Sequence, residues 1–131
     1  MEKAAVTGTA HSLLPVSMEG LDCHFSGAEA RVSQWIREGK MSPQEIAAEV
    51  FSLVARTVLR LLTAAREQTG VADVLITGGV ASSQLLRDLL SEINRKRRLG
   101  LRLYFGQRQF AGDNAAGVAL IGCDRMREGK A

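Results

Sequence analysis

The stretch Ala72-Asp-Val-Leu-Ile-Thr-Gly-Gly-Val-Ala-Ser-Ser83 decides the fold. Its apolar run reads as a short strand over 74–77, Gly78 and Gly79 as a tight turn, and Ser83 as the opening of a helix over 83–97. Glycine lets the chain turn sharply and lets a ligand approach the backbone. A second turn of the same kind runs from Leu103-Tyr-Phe105 through Gly106 and Phe110 to Gly112-Asp-Asn-Ala-Ala-Gly117, followed by a helix over 113–127. Each helix is expected to aim unpaired N–H groups and a positive dipole end at its turn. Strand–helix–strand of this length implies a parallel crossover. Ligands of such sheets sit beyond the carboxyl ends of the strands, where both turns lie. The pair of turns reads as half of a nucleotide pocket. The expected class is α/β: a small mixed sheet containing one parallel strand–helix–strand unit, covered by long helices.

Working outward, Ser42-Pro43-Gln44-Glu45 is a capping box with proline at the first helical position. It opens a helix expected to run to about Thr69 and to stop at Gly70. Glu45, Glu49, Ser52, Arg56, Arg60, Thr63 and Glu67 form one narrow polar stripe along it, and almost everything else is apolar. That arc is wider than a surface helix needs, so the helix is central or packs against something beyond the chain. Ser26-Gly-Ala-Glu29 reads as another capping box, opening a helix with Ala28, Val32, Trp35 and Ile36 on one face and a stop at Gly39. Residues 13–25 hold two short strands separated near Glu19-Gly20, able to pair as a hairpin with Pro15 at an edge. Residues 1–12 lack periodicity and read as a flexible arm, leaving 13–131 as one domain.

Composition narrows the function classes. At 131 residues the chain has the length of one domain. No apolar run approaches the ~20 residues needed to cross a bilayer, so no membrane partner is expected and the expected location is cytoplasmic. The net charge of +3 is mild, and the visible basic run, Arg95-Lys96-Arg97-Arg98 with Arg102 behind it, falls at a helix end. Such a run either complements the helix dipole or contacts RNA or another polyanion. Aromatic residues, at 5%, do not interleave with it, which argues against a base-stacking surface. Cys23 and Cys123 have no metal-ligand spacing and are expected to be reduced and buried; His11 and His24 form no metal-binding pair. No nucleophile is placed beside a base, so the residues alone indicate no catalytic group.

Three segments together, Leu21-Asp-Cys-His-Phe-Ser-Gly27, Ile76-Thr-Gly-Gly-Val-Ala-Ser-Ser-Gln-Leu-Leu-Arg87 and Gly112-Asp-Asn-Ala-Ala-Gly-Val-Ala119, resemble the C-terminal half of the TsaD-like family. Those proteins were long labelled glycoproteases or O-sialoglycoprotein endopeptidases and are understood as tRNA threonylcarbamoyladenosine synthases. The resemblance implies the C-terminal lobe of an actin-like ATPase (ASKHA) fold, in which two lobes clamp a nucleotide. It implies nucleotide binding by Gly78, Gly79, Ser83 and Asn114. Asp113 would be one ligand of a divalent metal near the phosphates, its other ligands lying outside this chain. The implied cofactor of the complete protein is ATP with a divalent metal, with none held tightly by this chain alone. The implied partners are an N-terminal lobe, on the same or a separate chain, and tRNA in the complete enzyme.

The departures from the family pattern are specific. The family asparagine falls on Ser83, whose hydroxyl cannot make a two-ended amide contact. The expected lysine after the motif serine is Glu29. The family's paired metal histidines and glycine-rich phosphate loop belong to the other lobe. Two further functions stand beside a lobe that is inactive alone. One is a diverged, non-catalytic scaffold or dimerisation module, self-associating through its apolar helices. The other is a peptidase, as in the old family label.

Overall fold

The computed structural model describes residues 1–107 and 115–127. Helix α3 (Pro43–Thr69) is the element on which the others are laid, packing against α1 (Glu2–Thr7) and α4 (Gln84–Lys96). Its ends are set as the sequence predicts. The Ser42 hydroxyl accepts from the Glu45 N–H at 3.2 Å and the Glu45 carboxylate accepts from the Ser42 N–H at 2.8 Å. At the far end Gly70 takes φ +73 and donates to the Arg66 carbonyl at 2.8 Å.

The polar stripe of α3 does not simply face water. Glu49 is fully buried, and its carboxylate accepts from the backbone N–H groups of His11 and, at 2.9 Å, Leu13. Two turns on, Arg56 donates to the Leu14 carbonyl at 2.7 Å and to the Ser52 hydroxyl at 3.3 Å, while the Leu14 side chain is fully buried. The stripe therefore grips an irregular strap, residues 8–16, by its backbone. A segment without a strand partner must satisfy its polar groups some other way, and α3 carries the acceptor and donor that do it. At the start of the strap Gly8 lies against α3 so closely that a Cβ there would sit 2.1 Å from the Gln44 carbonyl oxygen. Read from sequence, residues 1–12 are an aperiodic arm; in the structure they carry α1, seated on α3 through buried Ala5, and then the strap. One short helical turn is too brief to leave a periodic signal.

Strands β1 (Ser17–Glu19) and β2 (Asp22–His24) pair antiparallel around Gly20, which has φ +59. Strands β3 (Asp73–Ile76) and β4 (Arg102–Phe105) pair parallel, with Asp73 opposite Arg102 and Ile76 opposite Phe105. Among the described residues these are two separate two-stranded sheets, not the single mixed sheet expected. The inner face of the parallel pair, Val74, Ile76, Leu103 and Phe105, packs on a core of Ala55, Leu59, Leu86, Leu90 and Leu101 from α3, α4 and the turn before β4. Its outer face bears Leu75 and Tyr104, both exposed.

Between α4 and β4, Arg66 donates to the Leu99 carbonyl at 2.6 Å and Asn94 to the Leu101 carbonyl at 2.8 Å, fixing the crossover's return. The basic run is partly neutralised here: Lys96 pairs with Glu92 at 2.5 Å, and Arg102 with Asp73 across the strands.

Helix α2 (Ser26–Glu38) stops at Gly39, φ +60, as expected, but the capping box at its start does not form. The helix begins at Ser26 itself, with Glu29 N–H bonded to the Phe25 carbonyl at 2.9 Å. Ser26 is thus one residue inside the helix rather than before it. No residue of α2 is buried, and Ile36 is exposed rather than packed. Helix α5 (Ala115–Arg127) exposes Val118, Leu120, Ile121 and Met126. Cys23 is half-buried and Cys123 exposed, where both were expected to be buried. No helix among the described residues is long and apolar enough to cross a membrane.

Two outcomes are expected. Glu49→Ala leaves two strap N–H groups without their acceptor and lowers unfolding free energy by about 3 kcal/mol, with faster proteolysis within residues 8–16; urea titration and limited proteolysis read both. The hydrogen bond from Arg102 holds the Asp73 carboxyl below its ordinary value of 3.8. A depressed folded value means stability that is present above pH 3.8 and lost as pH falls through the folded value. Asp73→Asn should therefore flatten the fall of stability with pH below 3.8, measured by denaturant titration at successive pH values.

Candidate nucleotide-binding turns

The parallel pair delivers both glycine turns to the same end of the sheet. After Ile76 and Thr77, Gly78 takes φ +108, a conformation that L side chains rarely adopt. Gly79 has ordinary helical angles, φ −57 and ψ −46, and opens a single 3₁₀ turn, Val80–Ser82. The Gly79 carbonyl accepts from the Ser82 hydroxyl at 2.6 Å and from its N–H at 3.1 Å. A Cβ added at either glycine would meet nothing within 4 Å, so bare backbone faces open space. In the second turn, Gly106 extends the ladder by donating to the Ile76 carbonyl at 2.9 Å. A Cβ at Gly106 would lie 2.9 Å from the Thr77 hydroxyl, so there glycine allows the two turns to touch.

Arg87, on the first turn of α4, ties them together. Its Nε donates to the Ala81 carbonyl and its Nη2 to the Gly106 carbonyl, each at 2.6 Å, and the guanidinium lies 5.2 Å from the centre of the Phe105 ring. Planar, with donors at fixed angles, a guanidinium can hold two carbonyls at a set separation. Arg87 belongs to the motif quoted above, yet no role follows for it from spacing, because its partners come from two turns far apart in sequence, one of them beyond its own helix. A basic residue early in a helix, where the dipole disfavours it, is the signal that could have flagged it.

The helix that follows does not offer its N-terminal amides as freely as expected. The Ser83 hydroxyl accepts from the Leu86 N–H at 3.2 Å, and the Glu2 carboxylate of α1 accepts from the Leu85 N–H at 3.0 Å. Two first-turn donors are thus taken by the protein's own oxygens, which satisfies them as helix starts require. Beside this helix start lies a cleft of about 350 Å³, with Glu2, Gly79 and Ser83 on its walls and Val50, Phe51 and Val54 of α3 among its lining. An apolar floor with exposed backbone at one side suits a flat ring with polar edges.

The structure brings Gly78, Gly79 and Ser83 to one place. Asp113 and Asn114 lie outside the described residues. Among the described residues there is no group of three or more His, Cys, Asp or Glu able to hold a metal ion.

Removing the clamp has a readable consequence. Arg87→Ala should cost about 3 kcal/mol, from two charge-assisted hydrogen bonds to partly buried carbonyls. Arg87→Lys should recover less than half of that, since one ammonium does not reproduce the fork. Urea unfolding of the two variants beside the parent chain checks both.

Comparison with known proteins places the chain. The TsaD family model, described as tRNA N6-adenosine threonylcarbamoyltransferase, matches residues 1–120. A probable bifunctional tRNA threonylcarbamoyladenosine biosynthesis protein of Thermoplasma acidophilum is 30% identical over 119 residues, which is 91% of this chain and 22% of that protein. The tRNA N6-adenosine threonylcarbamoyltransferase of Bordetella petrii is 31% identical over 118 residues, 85% of this chain and 33% of its own length. That of Thermococcus kodakarensis is 27% identical over 129 residues, 98% of this chain and 39% of its own. The chain thus spans between 22% and 39% of the length of these relatives. With the family model matched along nearly the whole sequence and the glycine turns standing together at one sheet end, the chain belongs to the TsaD family.

Proposed function

We propose that this chain acts as the C-terminal, nucleotide-binding lobe of a TsaD-like transferase, with the architecture of an actin-like ATPase lobe, and that it is inactive alone. The observation that carries the reading is the bare backbone of Gly78 and Gly79, held at the carboxyl end of a parallel pair beside an apolar cleft. Adenosine would lie against Gly78 and Gly79, with its ring over the α3 side of the cleft. Ser83 already spends its hydroxyl on the cap, so its part is to fix the wall of the cleft rather than to grip the ligand by an amide-like contact. Because the Leu85 and Leu86 amides are occupied, the phosphates would lie toward the second turn, where Asn114 and Asp113 follow Gly112 in sequence.

Bound as threonylcarbamoyl-adenylate, the nucleotide would present an activated threonylcarbamoyl group to the amine of a tRNA adenine, with AMP as the leaving group. The described residues provide no donor set for a metal, and Asp113 alone is one hard ligand where such cations take several. Metal binding is therefore assigned to the complete protein and to no step here. Among the described residues no serine, threonine or cysteine side chain is hydrogen-bonded to a histidine or lysine, so the peptidase reading gains no support. A second reading, the non-catalytic scaffold or dimerisation module, draws on the exposed apolar residues Leu75, Tyr104, Val118 and Ile121.

Gly79→Val is the discriminating variant. The added side chain meets no protein atom and needs no unusual backbone angle, so it fills ligand space without disturbing the fold. Calorimetric titration with ATP and magnesium, in the presence of a TsaD N-terminal lobe, should give binding that Gly79→Val abolishes and Asp113→Ala weakens. Equal binding by Gly79→Val, or none by the parent chain with the lobe present, would leave the scaffold reading.

A further inference from the structure

We propose that the cleft between α3 and the C-terminal end of α4 is a second binding site, for a phosphate-bearing ligand held by Arg56, Arg60 and Arg97. This cleft, about 590 Å³, is larger than the one beside Gly79 and is lined by those three arginines together with Thr63, Glu67 and the apolar edge of Val16. It uses other residues than the glycine turns. Arg97 ends α4 and Ser83 begins it, so these two wall residues lie about 20 Å apart along a helix of this length. Either site can fail without the other.

Three observations converge on an anion. First, the basic run is not self-neutralised: Lys96 and Arg102 have carboxylate partners, but Arg60 and Arg97 have no ion pair or side-chain hydrogen bond among the described residues. Second, two like charges share the cleft. Burial pulls the Arg56 guanidinium below its ordinary range and the Arg97 charge lowers it further, against an opposing pull from Glu49. Third, the carboxylate lining the cleft, Glu67, is exposed, and Glu49 is already engaged by the strap. Three arginines lining one concavity suit an anion with several oxygens and more than one charge, and phosphate groups present both. Arg56 already donates to the Leu14 carbonyl and the Ser52 hydroxyl, but a single carboxylate would still leave most donors of Arg60 and Arg97 unmatched.

The ligand chemistry has two sources, a compact polyphosphate or the phosphodiester backbone of RNA, and the probes separate them. The 131-residue chain is titrated at low and moderate salt with inorganic pyrophosphate and, separately, with a single-stranded uridine dodecamer. Arg60→Ala and Arg97→Ala are compared with Arg37→Ala, which removes the same charge from the last turn of α2. Arg56 is left in place because it also holds the strap. The expected result is binding of at least one probe that weakens with salt and falls about tenfold or more in each cleft variant, yet stays within about twofold in Arg37→Ala. Loss of pyrophosphate binding identifies the compact anion, and loss of dodecamer binding alone identifies the phosphodiester. Binding of neither probe at low salt, or equal effects of all three substitutions, would overturn the site. Arg60 and Arg97 lie on the surface, and circular dichroism of each variant confirms that the fold is retained.

Discussion

The forked contact of Arg87 is the constraint on which the glycine-turn end of the parallel pair depends. Two turns that are far apart in sequence reach the same sheet end because β3 and β4 are parallel, but the ladder alone fixes only their strands. Arg87 fixes what comes after, by holding the Ala81 and Gly106 carbonyls from one rigid plane while resting on Phe105. A bare glycine backbone is useful to a ligand only if it stays where it is, and glycine itself supplies no stiffness. The freedom that lets Gly78 take φ +108 is thus offset by a side chain four residues past the helix cap.

Helix α3 shows how one element can be central on nearly all sides. Its apolar arc builds the core with α4 and the inner face of the parallel pair. Its polar stripe, which would otherwise look solvated, binds the backbone of residues 8–16 through Glu49 and Arg56. Farther along, the same stripe runs out from under the strap, and Arg60, Thr63 and Glu67 line an open cleft instead. A buried carboxylate is costly unless it is fully hydrogen-bonded, which is why Glu49 and the strap N–H groups must come together or not at all.

What was legible in the sequence was mostly local. The Ser42–Glu45 box, Pro43 and the stops at Gly39 and Gly70 each follow from residue chemistry within a few positions, and each stands where expected. The parallel pairing followed from the length of one crossover. What could not be read was set by partners distant in sequence. Ser26 looks like a cap but is overtaken when the helix begins one residue early, on the Phe25 carbonyl. Glu49 looks like a surface residue until the strap arrives. At the candidate site, the glycine turn was recognisable from strand–turn–helix spacing, whereas the roles proposed for Gly78, Gly79 and Ser83 came from the family resemblance. The occupation of the α4 N-terminus by Glu2 was not, because a contact spanning most of the chain leaves no pattern.

The site proposed for the base of a nucleotide is the glycine turn beside the apolar cleft. Its most direct test is amide-resolved NMR of the isotope-labelled chain, titrated with ATP to saturation. The amides of Gly78 through Ser83 and of Gly106 should move first and furthest, with smaller changes along the α3 residues that line the cleft. Saturable shifts confined to other parts of the molecule, with those amides unmoved, would contradict the claim.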